Sequence, residues 1–487
     1  MSAAPEVDAV VVGAGPNGLA AAVVLARAGL RVEVVERADT IGGGARTQEA
    51  TLPGFRHDIC SAVHPMALAS GFFQRFQLDR RIELTVPDIS YAHPLDGGRA
   101  GIAYRDLDRT ADGLGADGAA WARLLRGLVE TEPRMAKFTM RELVRVPDDP
   151  VTLARFGLAA LSQSGPWWNA GFSGDEAPAM LAGVMAHAIR PMPSLSTSAA
   201  GLVLAVHAHA RGWPVPTGGS QSIVDAMADD VLAHGGTITT GVDVTSIDEL
   251  PSAKATIFDT SARALADIAG SRLPDRYERA LRRFRYGNAA AKVDFALSGP
   301  VPWANDEARR SPTLHLGGTR AEIASGEHDV ASGRHARTPY VLVAQAGVVD
   351  GTRAPDGQQA LWAYTHVPRG STVDQTETVI AGIERFAPGF RDTILATNSR
   401  TAVDLEAHDP NYIGGDIAAG APSVWQLAAR PTLSTEPWRT PTPGLYLCSS
   451  STPPGPSVHG LGGAYAARSA LKHEFGIDRL PYLGVDS

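Results

Sequence analysis

The sequence predicts an α/β chain, and three observations predict it. Near the N-terminus an apolar run leads through a glycine turn and a helix of small residues into a second apolar run, from Asp8 to Glu36. Near residue 220 a helix is followed by a G-G-x-I turn and short strand-like stretches. Near the C-terminus a short apolar strand runs into a turn rich in hydroxyls and glycine, then into another helix of small residues.

The first stretch is the most informative. Ala9 to Val12 is β-branched and apolar, as a buried parallel strand must be. Gly13-Ala14-Gly15-Pro16-Asn17-Gly18 fits G-x-G-x-x-G. Gly13 allows the tight turn, Gly15 lets backbone approach a pyrophosphate, and Gly18 lets the helix pack on the strand. Ala20 to Ala28 forms the helix, whose N-terminus offers N–H groups and a positive dipole end to phosphates. Arg31 to Val35 is the second strand. Glu36 ends it with a carboxylate able to accept hydrogen bonds from both hydroxyls of an adenosine ribose. Flanking strands, helix and terminal acid together make this a Rossmann-like dinucleotide site.

Bulk properties bound the rest. A chain of 487 residues exceeds what one core usually holds, so two domains are expected. The net charge of −8 and the lack of a basic block argue against nucleic acid as a partner. Two cysteines, Cys60 and Cys448, make no disulfide framework and suit a reducing cytoplasm. The first strand starts too early for a signal peptide, and no run of about 20 apolar residues spans a bilayer. Peripheral membrane contact and a homodimer both stay open.

Just beyond Glu36 and Arg37 stands a second glycine cluster, Gly42-Gly43-Gly44-Ala45-Arg46. Further on, His64 before a proline either faces the ligand or is a hydrogen-bonded structural residue. The middle of the chain is helical in pattern at 119–128, 151–161 and 177–188, punctuated by prolines. Trp167, Trp168 and Phe172 pack in a core, line a pocket or touch lipid. His207 and His209 lie two apart, which on a helix points them away from each other, so no metal site is expected.

A helix over 221–234 follows the Gly218-Gly219-Ser220 turn, then strands are expected around Thr237 to Thr239 and Val242 to Ile247, and at 255–259. The stretch from Asp248 to Lys254 is short. Asn288 to Leu297 alternates as a strand and carries Lys292. Strands recur at 338–345 and 359–366, with a helix over 376–386. The last landmark is the strand at Leu445 to Cys448, the turn Ser449-Ser450-Ser451-Thr452-Pro453-Pro454-Gly455, and the helix beginning at Val458-His459-Gly460. Its serine hydroxyls suit ribityl or phosphate oxygens, and its helix N-terminus suits a developing anion. No G-x-S-x-G elbow and no C-x-x-C pair occurs.

Three segments in this order resemble FAD-dependent oxidoreductases of the phytoene desaturase and amine oxidase superfamily. They are the fingerprint with its G-G-G-A-R loop, the G-G-x-I return, and the S-S-S-T-P-P-G…H-G-L-G-G end. The branch of pyridine nucleotide-disulfide oxidoreductase domain 2 proteins is the nearest in pattern. The resemblance implies noncovalent FAD in a Rossmann-like domain of the amine oxidase type, with a second α+β substrate domain built from inserted segments. It implies flavin contacts at Gly43, Gly44, Ala45 and Arg46, an adenine contact through the backbone of Val244, and ribityl or flavin contacts from Ser450, Ser451, Gly455, Val458 and His459. Ser450 stands where many flavoenzymes carry an acid. Lys292 resembles the amine oxidase lysine that holds a water near flavin N5, and Tyr412 and Arg430 are placed to line the flavin face. A covalent flavin link at Cys448 is weighed against a buried strand cysteine, which is preferred.

The expected cofactor body is 1–75, 212–274 and 438–478, the substrate body 76–211 and 275–437, and 479–487 a tail. The expected reaction is hydride removal from a C–H bond of a small, largely apolar organic molecule, with O₂ or a quinone as acceptor. A flavin-dependent isomerase without net redox, or a flavin-bound interaction protein, are the alternatives.

Overall fold

The computed structural model describes residues 7–485; the first six and last two positions of the expected segments lie outside these. Five strands form one parallel sheet. They are β1 (Ala9–Val12), β2 (Val32–Val35), β3 (Thr237–Thr239), β4 (Ala255–Phe258) and β5 (Leu445–Leu447), in the order β5-β4-β1-β2-β3. Register runs Ala9 beside Val32 and Ala255, and Thr256 beside Leu445. Every residue of β1 and β4 is buried, because helices cover both faces of a parallel sheet.

Helix α1 (Pro16–Arg27) lies on this sheet, pinned by α2 (Gln221–Ala233) and α3 (Leu461–Phe475). The run Ala20-Ala21-Ala22 is wholly buried, so small side chains are what allow helices on both sides of α1. The approach of α3 is closer still: a Cβ on Gly463 would stand 1.8 Å from the carbonyl oxygen of Asn17. Arg27 and Asp230, both buried, join α1 to α2 through an ion pair at 2.6 Å.

The second sheet has seven strands, in the order Ile394–Arg400, Ala289–Leu297, Gln359–Val367, Val341–Ala344, Thr313–Leu316, Ile89–Pro94, Ala100–Tyr104. Its two central nine-residue strands pair antiparallel along their whole length, with Lys292 opposite Tyr364. One face packs under the helix Thr376–Glu384 through Val379, Ile380 and Ile383. The other, bearing Trp362 and Tyr364, looks toward the helices Gly118–Val129, Glu176–Ala186 and Leu195–Ala210. Among the described residues no helix is long and apolar enough to cross a membrane.

One expected element is not formed. Val242 to Ser246 is no strand; the chain makes only a 3₁₀ turn at Ile247–Glu249. The amides of Gly241 and Val242 bond instead to the carbonyls of Ala38 and Glu36, which wraps this segment over the end of β2. The apolar alternation there serves a ligand wall rather than a sheet.

Candidate functional site

The carboxyl ends of β1, β2 and β4 open into a cavity of about 1010 Å³ that continues to the Trp362 and Tyr364 face of the large sheet. That position, at strand ends where the order reverses around β1, is where open α/β sheets bind ligands. Of the residues singled out above, Gly13, Gly15, Pro16, Asn17, Glu36, Arg37, Gly43, Gly44, Ala45, Arg46, Val244, Tyr412, Ser450 and Val458 line it. Segments distant in sequence therefore meet around one space.

At its nucleotide end the buried Glu36 carboxylate accepts the amides of Ala14 at 2.8 Å and Ala38 at 2.9 Å. Arg46 donates to it at 3.2 Å and to the carbonyl of Thr40. These three donors hold the carboxylate in place while leaving it at the cavity wall. The three fingerprint glycines all face Asp259, the residue after β4. A Cβ on Gly13 would lie 2.8 Å from its carbonyl oxygen, one on Gly15 2.7 Å from its Oδ2, and one on Gly18 3.1 Å from its Cβ. Gly18 also backs on the carbonyl oxygen of Gly13, which a Cβ would approach to 2.1 Å. The amide of Gly18 donates to Asp259 Oδ2 at 2.7 Å. Burial, with the Asp409 and Glu36 charges, lifts the Asp259 carboxyl to about 7 against that hydrogen bond.

The two glycine loops touch. A Cβ on Gly43 would sit 3.3 Å from the Cα of Gly15, and one on Gly44 would sit 2.0 Å from the hydroxyl of Tyr412. Tyr412 is thus fixed over Gly44 beside Cys60, and burial pushes its phenol well above the ordinary range. Its loop is anchored by Asn411, whose Oδ1 accepts the amide of Ser261 at 2.6 Å.

Other expected residues lie behind the wall. His459 is buried, its Nδ1 accepting the Leu461 amide at 3.0 Å, so its Nε2 carries the proton and donates to the Gly455 carbonyl. Burial lowers that imidazole to about 4, and both ring nitrogens are spent on the turn before α3. Ser451 Oγ accepts the Ala262 amide and donates to the Ala419 carbonyl, and Gly455 closes the turn onto Thr452. Arg430 does not reach the cavity; its guanidinium binds the carbonyls of Ala418, Ala419, Gly420 and Ser450. Lys292 sits under the Trp362 ring, with its ammonium on Asp294. His64 bonds Ser220 at 2.8 Å, and Cys448 is sealed in the core of the five-stranded sheet. His209 lies between the Tyr104 carbonyl and the Trp121 indole, and His207 faces Glu132 at 3.2 Å.

Sequence reasoning passed over Asp259, Asp409, Cys60, His187, Trp213, Trp362 and Tyr364, all of which line the cavity. Trp362 and Tyr364 had a readable signal, since they alternate on one face of an apolar strand. Asp259 had only its place one residue past β4.

These groups fit FAD. The cavity is long, with a carboxylate at one end for a ribose, a helix N-terminus beside it and glycine backbone closing both sides. Asn17 lines that wall as well, its Oδ1 buried against Gly462 of α3. The far end is aromatic and aliphatic, with Leu204, Trp213, Leu342, Trp362 and Tyr364.

The family of flavin containing amine oxidoreductases matches residues 17–358. The chain is 26% identical over 96% of its length to the rat pyridine nucleotide-disulfide oxidoreductase domain-containing protein 2, covering 94% of that protein. It is 26% identical over 81% of its length to a phytoene dehydrogenase of Streptomyces griseus, covering 79% of it. Among solved structures, cyclohexylamine oxidase from Brevibacterium oxydans superposes with a TM-score of 0.56 at 17% identity, over 98% of this chain and all of that one.

Proposed function

The chain belongs to the family of flavin containing amine oxidoreductases, and from that premise we propose that it draws a hydride from a C–H bond of a small, largely apolar molecule. It is an FAD-dependent oxidoreductase, and the lining of its cavity supports an apolar substrate. One observation carries the argument: the space that begins at Glu36 and the fingerprint ends among Trp213, Leu342, Trp362 and Tyr364 without a break. Such a wall orients an apolar molecule by shape and excludes water from the reacting carbon.

FAD supplies the hydride acceptor, and this chain's residues supply placement. We assign the dinucleotide to the N-terminus of α1, Glu36, Arg46 and the backbone of Gly43, Gly44 and Val244. Ser450 and Val458 take the ribityl and flavin end, where Val458 precedes the N-terminus of α3. Tyr412, held by Gly44, borders the same space. His459 acts here through backbone geometry, not as an acid or base. The segments 1–75, 212–274 and 438–478 form the cofactor body in this reading, with the inserted segments as substrate body.

The mouth supports an apolar source for the substrate. Leu143 and Leu153 line the cavity and also reach solvent. Around them Val146 is 87% exposed, Val151 68%, Leu158 69% and Trp167 60%, with the exposed Arg155 among them. A rim of this composition suits the surface of a bilayer.

Anaerobic mixing of the FAD-loaded protein with polyenes, secondary amines and hydrophobic alcohols tests the reaction. Bleaching of the flavin by an apolar member of the set is expected. Bleaching only by small charged amines contradicts the proposed substrate class.

A further inference from the structure

Asp259 has no part in the glycine fingerprint, yet the fingerprint is built around it. All three glycines are held clear of it, and it takes the amide of Gly18 at the N-terminus of α1. That amide lies in the first turn of the helix whose positive end a dinucleotide's phosphates seek. The carboxylate therefore stands at the anion position itself, and it lines the cavity. Resting on the assignment of FAD to this cavity, we propose that the dinucleotide binds only with Asp259 protonated, so that one proton is taken up as the diphosphate enters.

The surroundings give the reason. From the end of β2 Glu36 faces Asp259, and from the loop after residue 408 Asp409 does so; both raise its carboxyl, as burial does. From β5 the thiol of Cys448 faces it, buried and protonated. From α1 no charged side chain arrives, only the Gly18 amide. From the helix after β4 Asp267 lines the same wall. Arg46 answers this charge from the second glycine loop, but it is committed to Glu36. A diphosphate adds two more negative charges to a region that already holds Glu36, Asp259 and Asp409 against two arginines, Arg46 on Glu36 and Arg37 on the Ala407 carbonyl. The group easiest to neutralise is the one already poised near neutrality, Asp259. Once protonated, it turns from a repelling acceptor into a hydroxyl donor for a phosphate oxygen. Glu36 is excluded from this role, because its two oxygens already accept from Ala14, Ala38 and Arg46.

The test is FAD binding to the apoprotein across pH, with Asp259→Asn and Asp409→Asn beside the wild type. The diphosphate stays ionised throughout this range, so any slope belongs to the protein. Dissociation constants level below about pH 6 and rising about tenfold per unit above about pH 7 are expected for the wild type, and the same slope with its onset moved to lower pH is expected for Asp409→Asn. Asp259→Asn keeps an acceptor for the Gly18 amide and is expected to bind without this slope. Calorimetry of the wild type in two buffers of different ionisation enthalpy needs no variant: about one proton taken up per FAD near pH 8, and little near pH 5.5, is expected. A flat wild-type profile, no proton uptake near pH 8, or a slope that survives Asp259→Asn overturns the inference while leaving the flavin assignment standing. No uptake of FAD at any pH overturns both.

Discussion

Replacing Asp294 by Leu strands a lysine. Lys292 and Asp294 lie two apart on one strand, so both project to the same face, and both are buried. Burial lowers the Lys292 ammonium and the Asp294 charge opposes that. His57 Nδ1 is 3.5 Å from Asp294, but burial holds that imidazole to about 4, so it is neutral near pH 7 and supplies no compensating charge. Without Asp294 the amine must stay charged and unmatched or give up its proton. Giving it up from an ordinary lysine pKa of about 10.4 costs about 4.6 kcal/mol at pH 7. That agrees with the ~3–5 kcal/mol seen when one partner of a buried pair is removed. In a chain of this length that is a fall in melting temperature of roughly 3–5 °C. The double variant Lys292→Met with Asp294→Leu removes both charges and is expected to recover most of that loss, the larger leucine holding it about 1–3 kcal/mol short of the wild type. Thermal unfolding of the singles and the double, with flavin bound, reads this directly. A single variant costing under about 1 kcal/mol, or a double no better than the single, refutes the reasoning. Flavin reoxidation by O₂ in the double gives a second reading. It stays unchanged if Lys292 only balances Asp294, and slows if the ammonium acts on the flavin as the amine oxidase resemblance implies.

Gly44→Ala drives a methyl into the hydroxyl of Tyr412, which would be 2.0 Å away, so FAD affinity should fall; adding Tyr412→Phe removes that oxygen and should restore much of it in a flavin-binding titration. Arg430→Met leaves the carbonyls of Ala418, Ala419, Gly420 and Ser450 without their shared donor. At ~1–3 kcal/mol for each group left buried and unsatisfied, a loss of at least ~3 kcal/mol is expected by denaturant unfolding, and a loss under ~1 would contradict the clamp. The chain should also be acid-labile. Burial lowers His57, His64, His93, His209 and His459 to about 4 and His187 to about 3. Each is neutral when folded and protonates near 6.5 when unfolded, so stability is present above about pH 6.5 and is lost as pH falls toward 4. The loss is about 1.4 kcal/mol per pH unit for each histidine. Asp259, Asp409 and Asp416 run the other way, their raised carboxyls favouring the folded apoprotein at lower pH, but they are three groups against these six imidazoles. A melting temperature unchanged between about pH 7 and pH 5 would contradict the burial of these imidazoles.

The first glycine loop, its helix and both flanking strands were legible because local sequence dictates them: a buried parallel strand, a turn that tolerates φ of +102° at Gly13, and a helix of small residues. The long strand 289–297 and the helices near 118, 150 and 221 were legible for the same reason of period. What local pattern could not reveal is where a side chain spends its polar atoms. His459 stands in a turn that looks made for a flavin and Arg430 reaches it from another loop, yet their nitrogens serve neighbouring carbonyls and amides. Lys292 reads as a lysine on a strand until Asp294, two residues on, is seen on the same face. Val242 to Ser246 carries a strand-like pattern but is pulled over β2 by hydrogen bonds from residues more than 200 positions earlier in the chain. Asp259 is defined by three glycines over 240 residues away, a relation that exists only in the folded sheet.

The central claim is that segments far apart in sequence grip one FAD without a covalent bond. The direct measurement is to load the purified chain with FAD, remove the excess, denature the protein and separate it from the supernatant. About one FAD per chain released into the supernatant is the predicted result. A chain that stays colourless after incubation with FAD, or flavin that remains attached to the denatured protein, contradicts it.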